Sequence, residues 1–450
     1  MTNKVLKLED YVSVGFDVDH TIAQYKLPAL FECIHRSIST YLTEEKGYPT
    51  SIRDPIDRNF VMRGIVFDVS KGNFLKLSDD GTILRATHGT TFLPLNKVKE
   101  AYGSERHWPH WETLFNTVDN IGMDYRIFEN FFDMPIMMSL ARLIDLVDAG
   151  QVRDRKYSDI CTDVYKAAGH TYNPSHFEKD LGGFFPDFKR NPSKYLHKCS
   201  DDVKAWLKSL RASGKTLFIA TSSYNDFASL VLQYTIGDDW RDYFDFLFTF
   251  ARKPGFFKHD ERQFYIVENT REKEVADCLR ASTLYSQGNA AAFTKKLQSL
   301  HDKSDPKVVF FGDSLRSDAY PAKQFANWDT VLVLEEMVDE KHDFAPETLV
   351  EPAGKRRRID EPSSETKEYL TSHSWGSFFT DSDGSPSNGE PKRPRMNTLW
   401  GYMVRKYADV TIPQLEYVST LQASHEFDTF QHDVQFKWGF YPGVPKALTE

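Results

Sequence analysis

Cysteine is scarce in this chain. Its four residues, Cys33, Cys161, Cys199 and Cys278, are spread over 450 positions with no Cys-x-x-Cys pair, which excludes a disulfide framework and a thiolate zinc cluster. Long apolar runs are also missing: no stretch approaches the ~18 apolar residues of a membrane-spanning helix. The opening MTNKVLKLED has no apolar leader, so the expected location is cytoplasmic. There is no basic surplus either. Against 56 Lys and Arg stand 65 Asp and Glu, a net charge of −9, the wrong sign for a diffuse phosphate-backbone binder. Neither a membrane nor a nucleic acid is an expected partner.

What is present suits a folded, multi-domain chain. Forty per cent hydrophobic and 14% aromatic residues can fill substantial cores, and the length allows two or three domains at roughly 150 residues each. Val12-Ser-Val-Gly-Phe16 reads as a short buried strand that stops abruptly at Asp17-Val18-Asp19-His20-Thr21. The same pattern recurs at Thr216-Leu-Phe-Ile-Ala220 before Thr221-Ser222-Ser223, and at Val308-Val-Phe-Phe311 before Gly312-Asp313-Ser314. Residues 246–250 and 330–334 complete a set of about five strands. Between them lie helical patterns: Val203, Trp206, Leu207 and Leu210 follow i, i+3, i+4, i+7 spacing, with Ser200 as N-cap and Gly214 placed to end the helix. Alternating strands and helices predict an α/β fold with a parallel sheet, whose polar strand ends converge in one crevice.

More than two hundred residues separate Asp17 from Thr221, far beyond a βα crossover, so an inserted domain is expected there. Within it, 64–68, 73–77 and 82–86 read as a β-meander. Asp133 is placed to cap a helix whose stripe of Ile136, Met137, Leu140, Leu143, Ile144 and Val147 reads as core. Residues 351–397 are rich in Ser, Pro and charge, with Lys355-Arg-Arg-Arg358 and Lys392-Arg-Pro-Arg395 at either end. This stretch is expected to be partly mobile, with an ordered island around Tyr369, Trp375, Phe378 and Phe379. The two basic clusters leave a nuclear pool open beside the cytoplasmic one. The expected organisation is a core of 1–24 and 196–345, an inserted cap of 25–195, the charged insertion 351–397, and a segment 398–450 that packs back on the core.

Side chains alternate along an extended strand, so Asp17 and Asp19 point the same way. If Asp313 and Asp318 join them, each pair of charges ~5 Å apart costs roughly 3 kcal/mol at an effective dielectric near 20. A cation, a lysine or protonation has to compensate, and the all-oxygen donor set favours Mg²⁺. Thr221 and Ser222 can donate hydrogen bonds to a phosphate, and Lys253 can supply a positive charge. Together these groups describe phosphoryl transfer through a carboxylate nucleophile, with Asp17 attacking phosphorus and Asp19 moving the proton. Gly214-Lys215-Thr216 is not a P-loop, because position 209 is Ser and the segment leads into a strand.

Asp17-x-Asp19-x-Thr21, Thr221, Lys253 and Gly312-Asp313-x-x-x-x-Asp318 resemble, in this order, the four motifs of the haloacid dehalogenase superfamily. Tyr25-Lys26, Arg63-Gly-Ile-Val-Phe-Asp68, Ala251-Arg-Lys-Pro254 with Phe256-Phe257, and Val404-Arg-Lys-Tyr-Ala-Asp409 are similar to the cytosolic purine 5′-nucleotidase family. The resemblance implies a HAD-like (Rossmann-type) parallel sheet covered by helices, with a large inserted α+β cap domain. It implies Asp17 as nucleophile and Mg²⁺ ligand, and Asp19 as acid/base and ligand through its backbone carbonyl. Asp313 would be the third ligand and Asp318 its support, while Thr221, Ser222 and Lys253 would hold the phosphoryl group. The implied substrate is a nucleoside 5′-monophosphate or a similar small phosphomonoester, and a homo-oligomer is compatible with the resemblance. Purine-specific members carry an Asn-x-Pro-Glu pattern where this chain reads Asp133-Met-Pro-Ile136, and no counterpart of their base-reading residues aligns between about 155 and 200. A phosphatase for a non-nucleotide metabolite and a low-activity, nucleotide-binding regulatory protein are the rival readings.

Overall fold

Strands buried on both faces need near-continuous apolar runs, and the runs that end in charge become neighbours in one sheet. The structure, a computed structural model, describes residues 5–118, 124–339, 370, 372–382 and 395–430. Contacts between Cα atoms divide the chain into two units. One comprises Met1–Lys26, Pro192–Glu361 and Arg405–Thr449; the other comprises Leu27–Asn191 and Pro362–Val404.

The first unit holds a nine-stranded sheet among the described residues. Its spatial order is Arg271–Val275, Phe264–Glu268, Thr283–Gln287, Phe246–Thr249, Thr216–Ala220, Ser13–Phe16, Val308–Gly312, Asp329–Val333 and Val410–Ile412. Every pairing from Thr283–Gln287 onward is parallel, and Phe264–Glu268 and Arg271–Val275 add an antiparallel edge. The α/β class and the parallel sheet are thus as expected. Phe16 sits level with Ile219 on one side and Phe311 on the other. Strand order reverses at this central strand, the place where open α/β sheets bind ligands. Gly15 is required there: a Cβ would lie 2.2 Å from the Phe218 ring. That ring packs on Phe293, Trp328 and Phe310 at 4.7, 5.5 and 6.0 Å between centroids. Outside the sheet, helix Asp201–Ala212 buries Val203, Trp206, Leu207 and Leu210, and the Ser200 hydroxyl accepts the Val203 N–H at 3.3 Å. Cys33, Cys161 and Cys199 are buried thiols, and Cys278 is exposed.

The second unit carries a five-stranded antiparallel sheet ordered Thr91–Phe92, Ile83–His88, Asn73–Leu77, Ile65–Asp68 and Tyr125–Phe128. Helices Leu27–Glu44, Met134–Asp148 and Tyr157–Thr171 pack on one another. The stripe Ile136, Met137, Leu140, Leu143 and Ile144 is buried, while Val147, in the last turn, is only half-buried. Asp133 stands at the N-cap of that helix, as expected, but its side chain makes no cap bond to the helix. Its carboxylate turns back to accept the Glu129 and Asn130 N–H groups at 3.1 and 3.3 Å, because a single turn of 3-10 helix, Phe131–Asp133, comes first. Trp375, Phe378 and Phe379 are buried in this unit, so part of the expected island is ordered. Tyr369 and residues 355–358 and 392–394 lie outside the described residues. Residues 405–430 fall in the first unit.

His35 gives the second unit a pH dependence. It is 2% exposed, its Nε2 lies 3.2 Å from Arg142 Nη1 and 3.0 Å from the Asp54 carbonyl, and burial together with the Arg142 charge lowers its pKa from 6.5 to about 4. Between those values the unfolded chain binds a proton that the folded chain does not, so stability falls as the pH drops from 6.5 towards 4. Between pH 7 and 5 the loss attributable to this group is about 2 kcal/mol. Urea unfolding of His35→Gln at both pH values should show a gap narrower by that amount; an unchanged gap would refute the assignment.

Candidate active site

The central strand ends at Phe16, and the next residue is Asp17, whose N–H donates to the Phe311 carbonyl at 2.8 Å. This pairing fixes the first carboxylate beside the end of Val308–Gly312, where Asp313 follows. A five-residue π-helical turn, Leu315–Ala319, then brings Asp318 back over the strand end, the kind of irregular turn often found at functional sites. Gly312 makes the return possible, because a Cβ there would lie 2.4 Å from the Asp318 carboxylate carbon. Asp318 Oδ2 accepts the Ser314 N–H at 3.1 Å. Asp318 therefore closes its own loop and does not cap the next helix, whose N-cap is Ala319.

Lys253 enters from the loop after Phe246–Thr249. Its Nζ lies 2.8 Å from Asp17 Oδ1 and 2.5 Å from Asp318 Oδ1. Burial works to lower the lysine pKa, and the Asp17 and Asp318 charges outweigh it and hold the ammonium above its ordinary value. Phe250 and Arg252 in this loop both adopt left-handed backbone conformations (φ 44° and 53°), a strained geometry of the sort concentrated at functional sites. The Lys253 N–H donates to Ser222 Oγ at 3.0 Å.

Asp17, Asp313 and Asp318 are all buried and each offers a carboxylate oxygen within 4.8 Å of the others. Burial pushes the Asp318 pKa above the ordinary carboxylate value, with Lys253 opposing and Asp17 adding to the shift. Lys253 balances one of three negative charges, and a divalent cation would balance the remaining two. An all-oxygen, buried donor set of this kind fits a hard cation.

Asp19 stands apart from this cluster. Its carboxylate is held by two hydroxyls, Tyr25 OH at 2.5 Å from Oδ1 and Ser223 Oγ at 2.6 Å from Oδ2. Burial first, and then the Asp17 charge, raise its pKa above the ordinary carboxylate value. Burial and the Asp19 charge likewise hold the Tyr25 phenol well above its ordinary pKa, so it remains a donor. Thr221 is fully buried, with Oγ1 accepting the Ser223 N–H at 3.1 Å, whereas Ser222 is exposed. Each of these two hydroxyls accepts one backbone N–H and keeps its own O–H to donate.

All seven residues picked out by sequence thus lie along the ends of the central strands or the loops that follow them. Spacing did not single out Tyr25 or Ser223 as partners of Asp19. Ser223 sits in the polar run after Thr216–Ala220, and Tyr25 is placed by the turn at His20, where φ is 55°.

A model of the 5′ nucleotidase family matches residues 1–377. A 5′-nucleotidase domain-containing protein 1 from Bos taurus is 37% identical over 447 residues, covering 97% of this chain and 96% of that protein. Its counterpart from Homo sapiens is 36% identical over 443 residues, with coverages of 97% and 96%. Among solved structures, a putative phosphatase from Clostridium difficile aligns at 14% identity over 72% of this chain and 86% of its own, with a TM-score of 0.27, too loose a superposition to carry an argument. Among the described residues no helix is long and apolar enough to cross a membrane.

Proposed function

This chain belongs to the 5′ nucleotidase family, and on that premise we propose that it is a Mg²⁺-dependent hydrolase of nucleoside 5′-monophosphates or similar small phosphomonoesters. The observation that carries the reading is the Asp17 carboxylate at the end of the central strand, 2.8 Å from Lys253 Nζ and clustered with Asp313 and Asp318. Mg²⁺ held by Asp17 and Asp313, with Asp318 in support, would neutralise charge on the phosphoryl oxygens.

In this reading an Asp17 oxygen attacks phosphorus, and the bond from phosphorus to the leaving oxygen breaks. Asp19 gives its proton to that oxygen, which departs as an alcohol. The aspartyl phosphate is then hydrolysed: Asp19 takes a proton from water, the resulting hydroxide attacks phosphorus, and Asp17 is released as a carboxylate. Thr221, Ser222 and Lys253 supply donors to the phosphoryl oxygens. The raised pKa of Asp19 supports its part, since a carboxyl that holds its proton above the ordinary range is a better acid near neutral pH.

Phosphate release from nucleoside monophosphates and sugar phosphates, measured with the purified full chain, tests the reading. Turnover of nucleoside 5′-monophosphates should require Mg²⁺, be lost in EDTA and return when Mg²⁺ is restored. Turnover untouched by EDTA would refute the metal dependence. Nucleotide binding without any turnover would refute the hydrolase and favour a regulatory protein.

A further inference from the structure

We propose that Tyr25 and Ser223 are positioning residues for the proton transfer: together they fix the plane of the Asp19 carboxylate so that its remaining lone pairs face the leaving oxygen. This rests on the phosphatase reading given above. An ionised carboxylate offers about four acceptor sites. One site on Oδ1 is taken by Tyr25 OH at 2.5 Å and one on Oδ2 by Ser223 Oγ at 2.6 Å, distances typical of charge-assisted hydrogen bonds. A carboxylate gripped at both oxygens cannot rotate about its Cβ–Cγ bond, and each oxygen keeps a site for the proton in transit.

Tyr25 is itself fixed from two sides. Its ring packs on His20 at 4.7 Å between centroids, and His20 Nδ1 lies 3.3 Å from Glu335 Oε1. Its backbone is caught in a short bridge to the returning segment: Tyr25 pairs with Leu196, Lys26 N–H donates to the Tyr195 carbonyl at 2.8 Å, and His197 N–H donates to the Gln24 carbonyl at 2.9 Å. Ser223 arrives from a different loop, directly after Thr221 and Ser222. Asp19 is therefore held on one oxygen from within its own loop and on the other from a loop some two hundred positions away.

A merely structural role for Tyr25 would affect every substrate equally, whereas a role in proton donation depends on the leaving group. An alkoxide departing from a nucleoside 5′-monophosphate needs the proton; the nitrophenolate of p-nitrophenyl phosphate leaves without one. The quantity to measure is kcat/KM, which reports the steps up to leaving-group release. In Tyr25→Phe and separately in Ser223→Ala, kcat/KM for the nucleotide should fall about 10- to 100-fold, and at least about tenfold more than for p-nitrophenyl phosphate. Thermal melting accompanies both variants, and the serine variant, which removes a single half-buried hydroxyl, covers the case in which Tyr25→Phe unfolds. Equal losses on both substrates, or no loss on either, would overturn the positioning role while leaving the hydrolase intact. Wild-type protein that turns over neither substrate would overturn both.

Discussion

Asp17→Asn should lower kcat for a nucleoside monophosphate by at least about 10⁴-fold, the scale on which loss of a nucleophile is felt in other hydrolases that work through a covalent intermediate. The amide has the shape of the carboxylate but no lone pair basic enough to attack phosphorus, and no aspartyl phosphate can form. The fold should survive. Asp17 shares a buried cluster with Asp313 and Asp318, and removing one of three like charges relieves repulsion of roughly 3 kcal/mol per ~5 Å pair. Lys253 loses the charge of its partner at 2.8 Å, whose amide oxygen can still accept, and keeps the ion pair with Asp318 at 2.5 Å. The thermal midpoint in EDTA should therefore stay within about 3 °C of wild type. A folded Asp17→Asn protein with undiminished turnover would refute the assignment of the nucleophile.

The residues at this centre were legible because parallel strands announce themselves. Val308–Gly312 and Thr216–Ala220 are buried at every position, so their sequences run apolar without alternation and stop at the first charged or hydroxyl residue. The edge did not show itself for the opposite reason. Arg271–Val275 is exposed throughout and reads Arg-Glu-Lys-Glu-Val, a charged strand of the kind that blunts sheet edges and carries no periodic apolar signal. Val410–Ile412 is three residues long and joins Asp329–Val333 across some eighty positions, a pairing set by tertiary contact and not by local pattern. The same division holds within the site. Asp17, Asp19, Asp313 and Asp318 follow from spacing along one strand or one turn. Tyr25 and Ser223 meet Asp19 only because the His20 turn and the loop after Thr216–Ala220 bring them together, and loop geometry of that kind leaves no periodicity to read.

The polar stretch after 351 held one local signal, a cluster of aromatics, and its burial leads to the second large effect. Lys76 lies in the middle of Asn73–Leu77, 1% exposed, with Nζ 2.7 Å from Asp381 Oδ2 and 2.6 Å from the Trp375 carbonyl. Asp381 also receives Arg85 Nε at 2.7 Å. Burial works to raise the Asp381 pKa, and the Lys76 and Arg85 charges outweigh it and hold the carboxyl below its ordinary value. Breaking a buried ion pair by removing one partner costs about 3–5 kcal/mol, because the other charge stays in a low-dielectric setting. Asp381→Ala should cost that much in urea unfolding at pH 7. Replacing both charges removes the stranded ammonium, and apolar substitutes for a buried pair are often neutral. Lys76→Met/Asp381→Leu should therefore be more stable than Asp381→Ala by at least about 2 kcal/mol. Arg85 side-chain exposure is 34%, so its charge can turn to water when Asp381 is lost, and Arg85→Ala should cost under about 1 kcal/mol. If Asp381→Ala unfolds like wild type, the ion pairs of Asp381 contribute no net stability, and residues 375–381 are held by the burial of Trp375 and by its own bonds to the Lys76 ammonium and the Phe60 carbonyl.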